Sequence, residues 1–392
     1  MSEKRLPFEV SEYAARLEKL RAAMARQNLD TLVLSDPSNM AWVTGYDGWS
    51  FYVHQAVIVR LDSDPVWWGR AQDANGARRT VWMRDDCVTS YADHFVQSTV
   101  RHPMEELGRL LARLGAQRIG LEMDNFYFSA KAHVVLRDAL PGAIFRDATG
   151  LCNWQRTVKS AAELAYMRQA ARISEKIVDG LLERVEPGVP KNEVVAEIYR
   201  DAIRAVDGVW GDYPAIVPLL PSGDDASAPH LTWDGRPFAE GEATFFEISG
   251  CVRRYHAPLC RTLFLGTPPD QMRRAEAALA RGLEAGIDVA RAGARACDVA
   301  NALAAPLERA GIERGARCGY PVGLSYPPDW GERTISLRAE DETVLEPDMT
   351  FHFMPGLWMD GWGLEITETI RIRESGPAEC LAGRPRELFV KP

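Results

Sequence analysis

The sequence predicts an α+β protein in two parts, a smaller α/β domain over residues 1–155 and a larger domain over 156–392. Three observations lead there. A chain of 392 residues is too long for one ordinary domain and comfortable for two. Up to about residue 122, short β-branched runs alternate with amphipathic helical spacing, the pattern of an α/β domain. Beyond residue 158 the pattern changes to longer helices and to strands rich in aromatic and β-branched residues.

The elements follow in order. Residues 12–27 carry apolar side chains at helical spacing (Tyr13, Leu17, Leu20, Met24), and Thr31–Leu34 reads as a strand that stops at Ser35-Asp36-Pro37. Gln55–Val59 and Val66–Trp68 are further strands, Met104–Leu114 a second amphipathic helix, and Arg118–Glu122 another strand. A boundary falls between Leu151 and Lys159. A long helix then opens at Ser160, an N-cap with Glu163 in capping-box position, and ends before Glu186-Pro187-Gly188. Helices are expected over 191–205, 270–291 and 296–310, and strands over 244–248, 262–265, 350–354 and 366–372.

Composition excludes several classes of function. With 46% hydrophobic and 26% charged residues the chain is ordinary globular material. A net charge of -9 argues against nucleic acid as a partner, because that surface would have to be basic. No apolar run reaches the roughly 20 residues that span a bilayer, and the opening residues 1–7 lack a signal-peptide core, so a cytoplasmic protein is expected. Seven scattered cysteines with no Cys-x-x-Cys pair point to buried, reduced thiols rather than disulfides or a zinc knuckle. Eleven tryptophans are many for this length, and some of them are expected to line a site.

Glu247 is the residue that most demands a chemical explanation. It lies between Phe246 and Ile248 in an apolar strand, where a carboxylate is costly unless it is paired or used. Pairing would mean a salt bridge to Arg253 or Arg261. Use would mean a nucleophile or general base facing a cavity. His230, in Ala228-Pro229-His230, can carry protons near neutral pH. His54, His94, His102, His133, His256 and His352 read as structural. Aromatic residues cluster in loops: Trp49, Phe51 and Tyr52 early in the chain, then Trp210, Tyr213, Trp233, Tyr326, Trp330, Trp358 and Trp362. Such walls favour a small cation, at about 0.5–2 kcal/mol per cation–π contact.

Several ordered motifs carry a family resemblance. Lys159-Ser160-x-x-Glu163 precedes Met167-Arg168-x-Ala170. The hairpin Ala243–Phe264 ends on Arg261-Thr262, a Gly319–Gly323 loop follows, and Phe353-Met354-Pro355-Gly356 comes later. Together they resemble the pita-bread family of methionine aminopeptidase, prolidase, aminopeptidase P and creatinase, and residues 1–155 resemble the creatinase/prolidase N-terminal domain. The resemblance covers nearly the whole chain and implies a pita-bread catalytic domain behind a smaller α/β domain.

Metal-dependent members of that family use two Asp, one His and two Glu as ligands. At the corresponding places this sequence has Glu247, Pro258, Tyr320, Met354 and Thr367, with Glu365 two residues before Thr367 on the same strand face and Glu368 on the other. The resemblance therefore implies a hydrolase with no metal and no other cofactor, as creatinase is. The departures, with Glu247 and the segment 351–358, resemble the branch whose members open the cyclic amidine of the compatible solute ectoine, and in some cases hydroxyectoine, to N-acetyl-2,4-diaminobutyrate. On that reading Glu247, His230 and Glu365 are catalytic, and Trp49, Phe51, Tyr52, Tyr213, Tyr320, Trp330 and Trp358 bind the substrate. The expected partners are a small cationic or zwitterionic substrate, a second copy whose N-terminal domain completes the site, and a downstream deacetylase. No nucleic acid or membrane partner is expected. Arg253, Arg261 and Arg317 are equal candidates for holding a substrate carboxylate. The alternatives are a creatinase-like amidinohydrolase acting on another guanidine or amidine, a metal-dependent Xaa-Pro peptidase, and a catalytically dead ligand-binding protein.

Overall fold

A computed structural model describes residues 4–204 and 206–392. The chain divides into two compact units, Met1–Arg156 and Thr157–Pro392. Among the described residues no helix is long and apolar enough to cross a membrane, and all seven cysteines are free thiols, six of them buried and Cys380 half-buried.

The first unit holds helices α1 (Val10–Arg26), α2 (Pro37–Thr44), α3 (Ala74–Thr80), α4 (Pro103–Arg113), α5 (Ala130–Ala139) and α6 (Leu151–Arg156). Its strands are β1 (Thr31–Leu34), β2 (Ala56–Arg60), β3 (Val66–Arg70), β4 (Val88–Tyr91), β5 (Arg118–Leu121) and β6 (Ile144–Asp147). They form one mixed sheet in the order β4-β3-β2-β1-β5-β6. Strand alternation explains its apolar runs. Leu32 and Leu34 join a core with residues of α1, α2 and α3, whereas Val33 joins a second core with α4 and α5. A sheet covered on both faces has no polar side to display.

The second unit contains α7 (Ala161–Arg184), α8 (Lys191–Ile203), α9 (Asp270–Val289) and α10 (Ala296–Arg309). Its strands are β7 (Ala243–Val252), β8 (Tyr255–Leu265), β9 (Gly319–Pro321), β10 (Thr350–Phe353), β11 (Gly356–Met359), β12 (Trp362–Glu365), β13 (Glu368–Arg371), β14 (Glu379–Cys380) and β15 (Phe389–Lys391). The expected capping box of α7 is present, with Ser160 and Glu163 bonding reciprocally. The sequence carried α8 to residue 205, which lies outside the described residues, as do residues 1–3 of the opening segment.

β7 and β8 form a long hairpin in register from Ala243↔Phe264 to Val252↔Tyr255. The turn is two residues, Arg253 and Arg254, both at positive φ (50° and 68°). That is the backbone sense that matches the twist of a tight hairpin. Along β7, Phe246, Ile248 and Val252 face the core shared with α7 and α8. The alternate residues, including Phe245 and Glu247, turn the other way. On that side β8 is stitched to the stretch between β12 and β13. The Thr262 hydroxyl donates to the Glu365 carbonyl and accepts from its N–H, both at 2.8 Å. The Cys260 N–H donates to Thr367 Oγ1 at 2.8 Å, and the Thr367 N–H donates to the Cys260 carbonyl. These bonds correct one expectation. Residues 366–372 do not form a single strand, because Thr367 spends its hydrogen bonds on β8 and the ladder restarts at Glu368.

Candidate active site

Glu247 sits in the middle of β7, opposite Cys260, and is 8% exposed. Among the described residues no Arg253 or Arg261 salt bridge to Glu247 is found: Arg253 lies over Trp210, and Arg261 is spent elsewhere. Arg261 Nη2 donates to Glu368 Oε1 at 2.6 Å, and its other donors reach the carbonyls of Cys260, Thr367, Arg384 and Pro385. Glu368 is thereby the structural carboxylate of the pair. Glu365 is the one with a chemical future. It is 1% exposed, the Cys260 thiol hydrogen-bonds it, and its Oε2 has no hydrogen-bond partner among the described residues.

The two carboxyl groups disturb one another. Burial, then the negative charges of Glu365 and Asp329, push the Glu247 carboxyl well above the usual range. Burial lifts Glu365 to about 7, against smaller opposing pulls from the Cys260 bond and Arg314. Desolvation disfavours a carboxylate, and a like charge nearby disfavours it again. The pair therefore titrates as a unit that keeps protons into the neutral range.

The imidazole beside Glu247 is His352, one of the histidines read as structural. His352 is fully buried in β10. Its Nδ1 lies 3.9 Å from Glu247 Oε1 and 3.1 Å from the Tyr320 hydroxyl, and its Nε2 lies 2.8 Å from Thr367 Oγ1. Trp330 Nε1 donates to the Tyr320 hydroxyl at 2.8 Å. Either tautomer of His352 closes this chain. Burial, with Arg317 adding to it, pushes the His352 pKa down to about 3, so the ring is neutral and holds its neighbours rather than exchanging protons. The signal was in the sequence. His352 lies between Phe351 and Phe353, the same polar-in-apolar setting that singled out Glu247.

The other expected site residues fall into groups. Tyr320 and Trp330 are buried in the chain of bonds around His352. Trp358 packs against a small core of Ala226, Phe245 and Cys260, so it shares the Glu247 face of the hairpin. Tyr213 is half-buried and lies under the Arg254 guanidinium, 3.7 Å from the ring centroid, at the hairpin turn. His230 is exposed. The segment that carries it folds back beside the hairpin: Leu219 bridges Glu247, and the next residue, Leu220, donates its N–H to the Thr232 carbonyl. Trp49, Phe51 and Tyr52 belong to the first unit. There Trp49 and Tyr52 are 57% and 66% exposed, and Phe51 and Tyr52 line a cavity of about 430 Å³ with His54 and His102.

Two family profiles match the chain, the creatinase/prolidase N-terminal domain over residues 16–158 and metallopeptidase family M24 over residues 165–374. The chain belongs to metallopeptidase family M24. Among its relatives, the chain is 58% identical to "Ectoine hydrolase" of Halomonas elongata, over 98% of this chain and 99% of that one. It is 24% identical to "Creatinase" of a Bacillus species, over 89% and 84%. Among solved structures it superposes on an Xaa-Pro dipeptidase from Bacillus anthracis with a TM-score of 0.82 at 18% identity, covering 97% of this chain and 100% of that one. Likeness at that identity concerns the fold. As an M24 protein with such relatives, the chain is a hydrolase.

The M24 family implies a metal pair, and the residues present do not fit one. Among the described residues no three His, Cys, Asp or Glu side chains come together as a metal site. At the family's ligand places Pro258 offers no side-chain donor, Tyr320 and Thr367 are engaged with His352, and Met354 offers only a thioether.

Proposed function

We propose that this M24 protein hydrolyses the cyclic amidine ectoine to N-acetyl-2,4-diaminobutyrate without a metal ion. The observation that carries the reading is the pair of buried carboxyl groups, Glu247 and Glu365, on one side of the hairpin with no metal-ligand cluster to occupy them. A pair that resists double ionisation in isolation becomes favourable when a delocalised cation arrives, because the cation supplies the missing compensation. An amidinium is such a cation, and the 58% identical relative named for ectoine supports the choice.

Ectoine's ring is electrophilic at the carbon between its two nitrogens. Glu247 either attacks that carbon or takes a proton from the water that does. Oxygen adds to the carbon, one ring C–N bond breaks, and the departing nitrogen leaves as an amine that takes up a proton, so that ring plus water gives the N-acetylated product. Glu365 accepts hydrogen bonds from the amidinium N–H groups through its unpartnered oxygen. His352, held by Tyr320 and Thr367, packs beside the Glu247 carboxyl at 3.9 Å. The neutral, buried His352 is a poor base, and we assign proton exchange with solvent to the exposed His230 on the segment folded beside Glu247. Mass spectrometry of enzyme quenched during turnover separates the two routes, since only attack by Glu247 leaves an adduct on it. We extend the proposal to a homodimer in which Trp49, Phe51 and Tyr52 of one copy close the pocket of the other.

The test is product analysis after incubation with ectoine and a chelator. Turnover is expected to persist, and Glu247→Ala is expected to lower kcat by about 10³-fold or more, the scale of losing a nucleophile or base. Unchanged ectoine, or turnover that the chelator abolishes, overturns the reading.

A further inference from the structure

A zwitterionic substrate brings an anion as well as a cation, and the dyad can serve only the cation. The arginines nearest the site differ sharply in what they are free to do. Arg261 spends its donors on Glu368 and four carbonyl groups. Arg314, half-buried, spends its donors on the carbonyls of Met354, Gly356, Ala316 and Arg317. Arg253 lies over Trp210, and Arg254 over Tyr213 and Tyr326, beside the hairpin turn. Arg317 is exposed, as Arg253 is, but the ring beneath it belongs to the site: its guanidinium carbon stands 4.4 Å from the centroid of the Tyr320 ring, whose hydroxyl is bonded to His352 and Trp330.

The backbone beneath Arg317 is fixed. The Arg314 guanidinium holds the Arg317 carbonyl at 2.9 Å and the Gly356 carbonyl at 3.0 Å, and Gly356 is the register partner of Glu365. One half-buried cation thus clips the loop that carries Arg317 to the strand pair that carries Glu365. A guanidinium held over an aromatic ring still has N–H donors to offer a carboxylate. Its charge also reaches into the site, where it helps to depress the His352 pKa and opposes the upward shift of Asp329.

We infer that Arg317, stacked on Tyr320 and anchored through Arg314 beside Glu365, is the anion subsite that binds the substrate's carboxylate and selects zwitterionic rings over merely cationic ones. The inference rests on the reading of Glu247 and Glu365 as the amidinium site. In ectoine the carboxylate is carried on the ring carbon next to an amidinium nitrogen, so a ring seated on the dyad presents its anion to a cation at the rim. Arg314 is a positioning residue in this arrangement and touches no substrate.

The experiment uses the full-length protein and two ligands, ectoine and the same 2-methyl tetrahydropyrimidine ring without its carboxylate. Affinities are read by calorimetry, so that they do not depend on turnover, and steady-state kinetics are measured in parallel. Arg317→Gln is expected to weaken ectoine binding about 100-fold, chiefly in KM, and to leave affinity for the carboxylate-free ring within about threefold, on the scale of losing one charge-assisted bidentate contact. Arg317→Lys is expected to recover part of the loss. Equal weakening for both ligands, unchanged ectoine affinity, or a selective loss produced instead by Arg333→Gln, at the other arginine whose charge acts on Asp329, would overturn the assignment. Absence of ectoine turnover by the wild-type protein would count against the proposed reaction alone, because the selective loss of affinity is read without it. Unaltered thermal unfolding of Arg317→Gln excludes a folding defect.

Discussion

Glu365 is buried with one carboxyl oxygen unpartnered among the described residues, and that makes its stability effect readable. Its carboxyl has an ordinary value of 4.5 and is raised to about 7 in the folded chain. The folded state therefore binds the proton more tightly than the unfolded one. The stability gained is fully present below about pH 4.5 and is lost as pH rises through 7. Glu365→Gln is expected to flatten the decline in stability between pH 5 and 8, and to raise stability at pH 8 by roughly 1–3 kcal/mol. Denaturant midpoints across that range check it. Glu247, raised mainly by burial, and Glu122 in the first unit, lifted to about 7 by burial, leave a residual slope in the variant. The same substitution is expected to cost activity, since the amide cannot balance an amidinium. A wild-type slope that rises with pH, or a variant less stable at pH 8, would remove the case for a strained buried dyad. The neighbouring Arg261–Glu368 pair shows the contrast: both are buried, but there the carboxylate has an arginine cation 2.6 Å away to balance its charge.

At the scale of elements, the position of Glu247 depends on how closely α7 approaches the hairpin. Gly250, three residues along β7, makes that approach possible. A Cβ there would stand 2.1 Å from the Ala170 carbonyl oxygen and 2.8 Å from the Ile173 Cβ. Ser174 of α7 uses the closeness, accepting from the Gly250 N–H at 2.8 Å and donating to the Ala257 carbonyl at 2.6 Å. Gly250→Ala is expected to push the helix off the sheet and to cost roughly 1–3 kcal/mol, the usual range for overpacking. Chemical denaturation measures it, and a loss below about 0.5 kcal/mol would mean that the helix can shift freely. Element boundaries also show where sequence pattern is weak. Strands β9, β14 and β15 have two or three residues each, too short for a period to appear. The pattern likewise joined 366–372 into one strand, because it cannot register that Thr367 turns its bonds toward Cys260.

For the whole molecule, the proposed dimer has a direct test. If the aromatic loop of one copy completes the pocket of the other, Glu247→Ala and a Trp49→Ala/Phe51→Ala double variant should each be inactive alone. Mixed after unfolding and refolding together, they should recover about a quarter of wild-type activity through hybrid dimers, each with one intact site. Recovery near zero, together with a monomer by sedimentation, would overturn the arrangement.

Much of the molecule was legible in residue order. The alternation in Thr31–Leu34, the capping box at Ser160 and Glu163, and the ordered motifs from Lys159 to Gly356 were enough for the fold class and the family. Glu247 stood out because a carboxylate between apolar neighbours has few inexpensive explanations. Sequence pattern reports which residues are buried, through period and polarity, but not which buried groups meet. That was left to tertiary structure. Only folding shows that Arg261 is consumed by Glu368, that His352 rather than a more distant imidazole stands 3.9 Å from Glu247, and that Arg317 lies on Tyr320. The first two depend on strands far apart in the chain packing side by side, and the third on how a short loop turns back over its own strand; no local pattern encodes such distances.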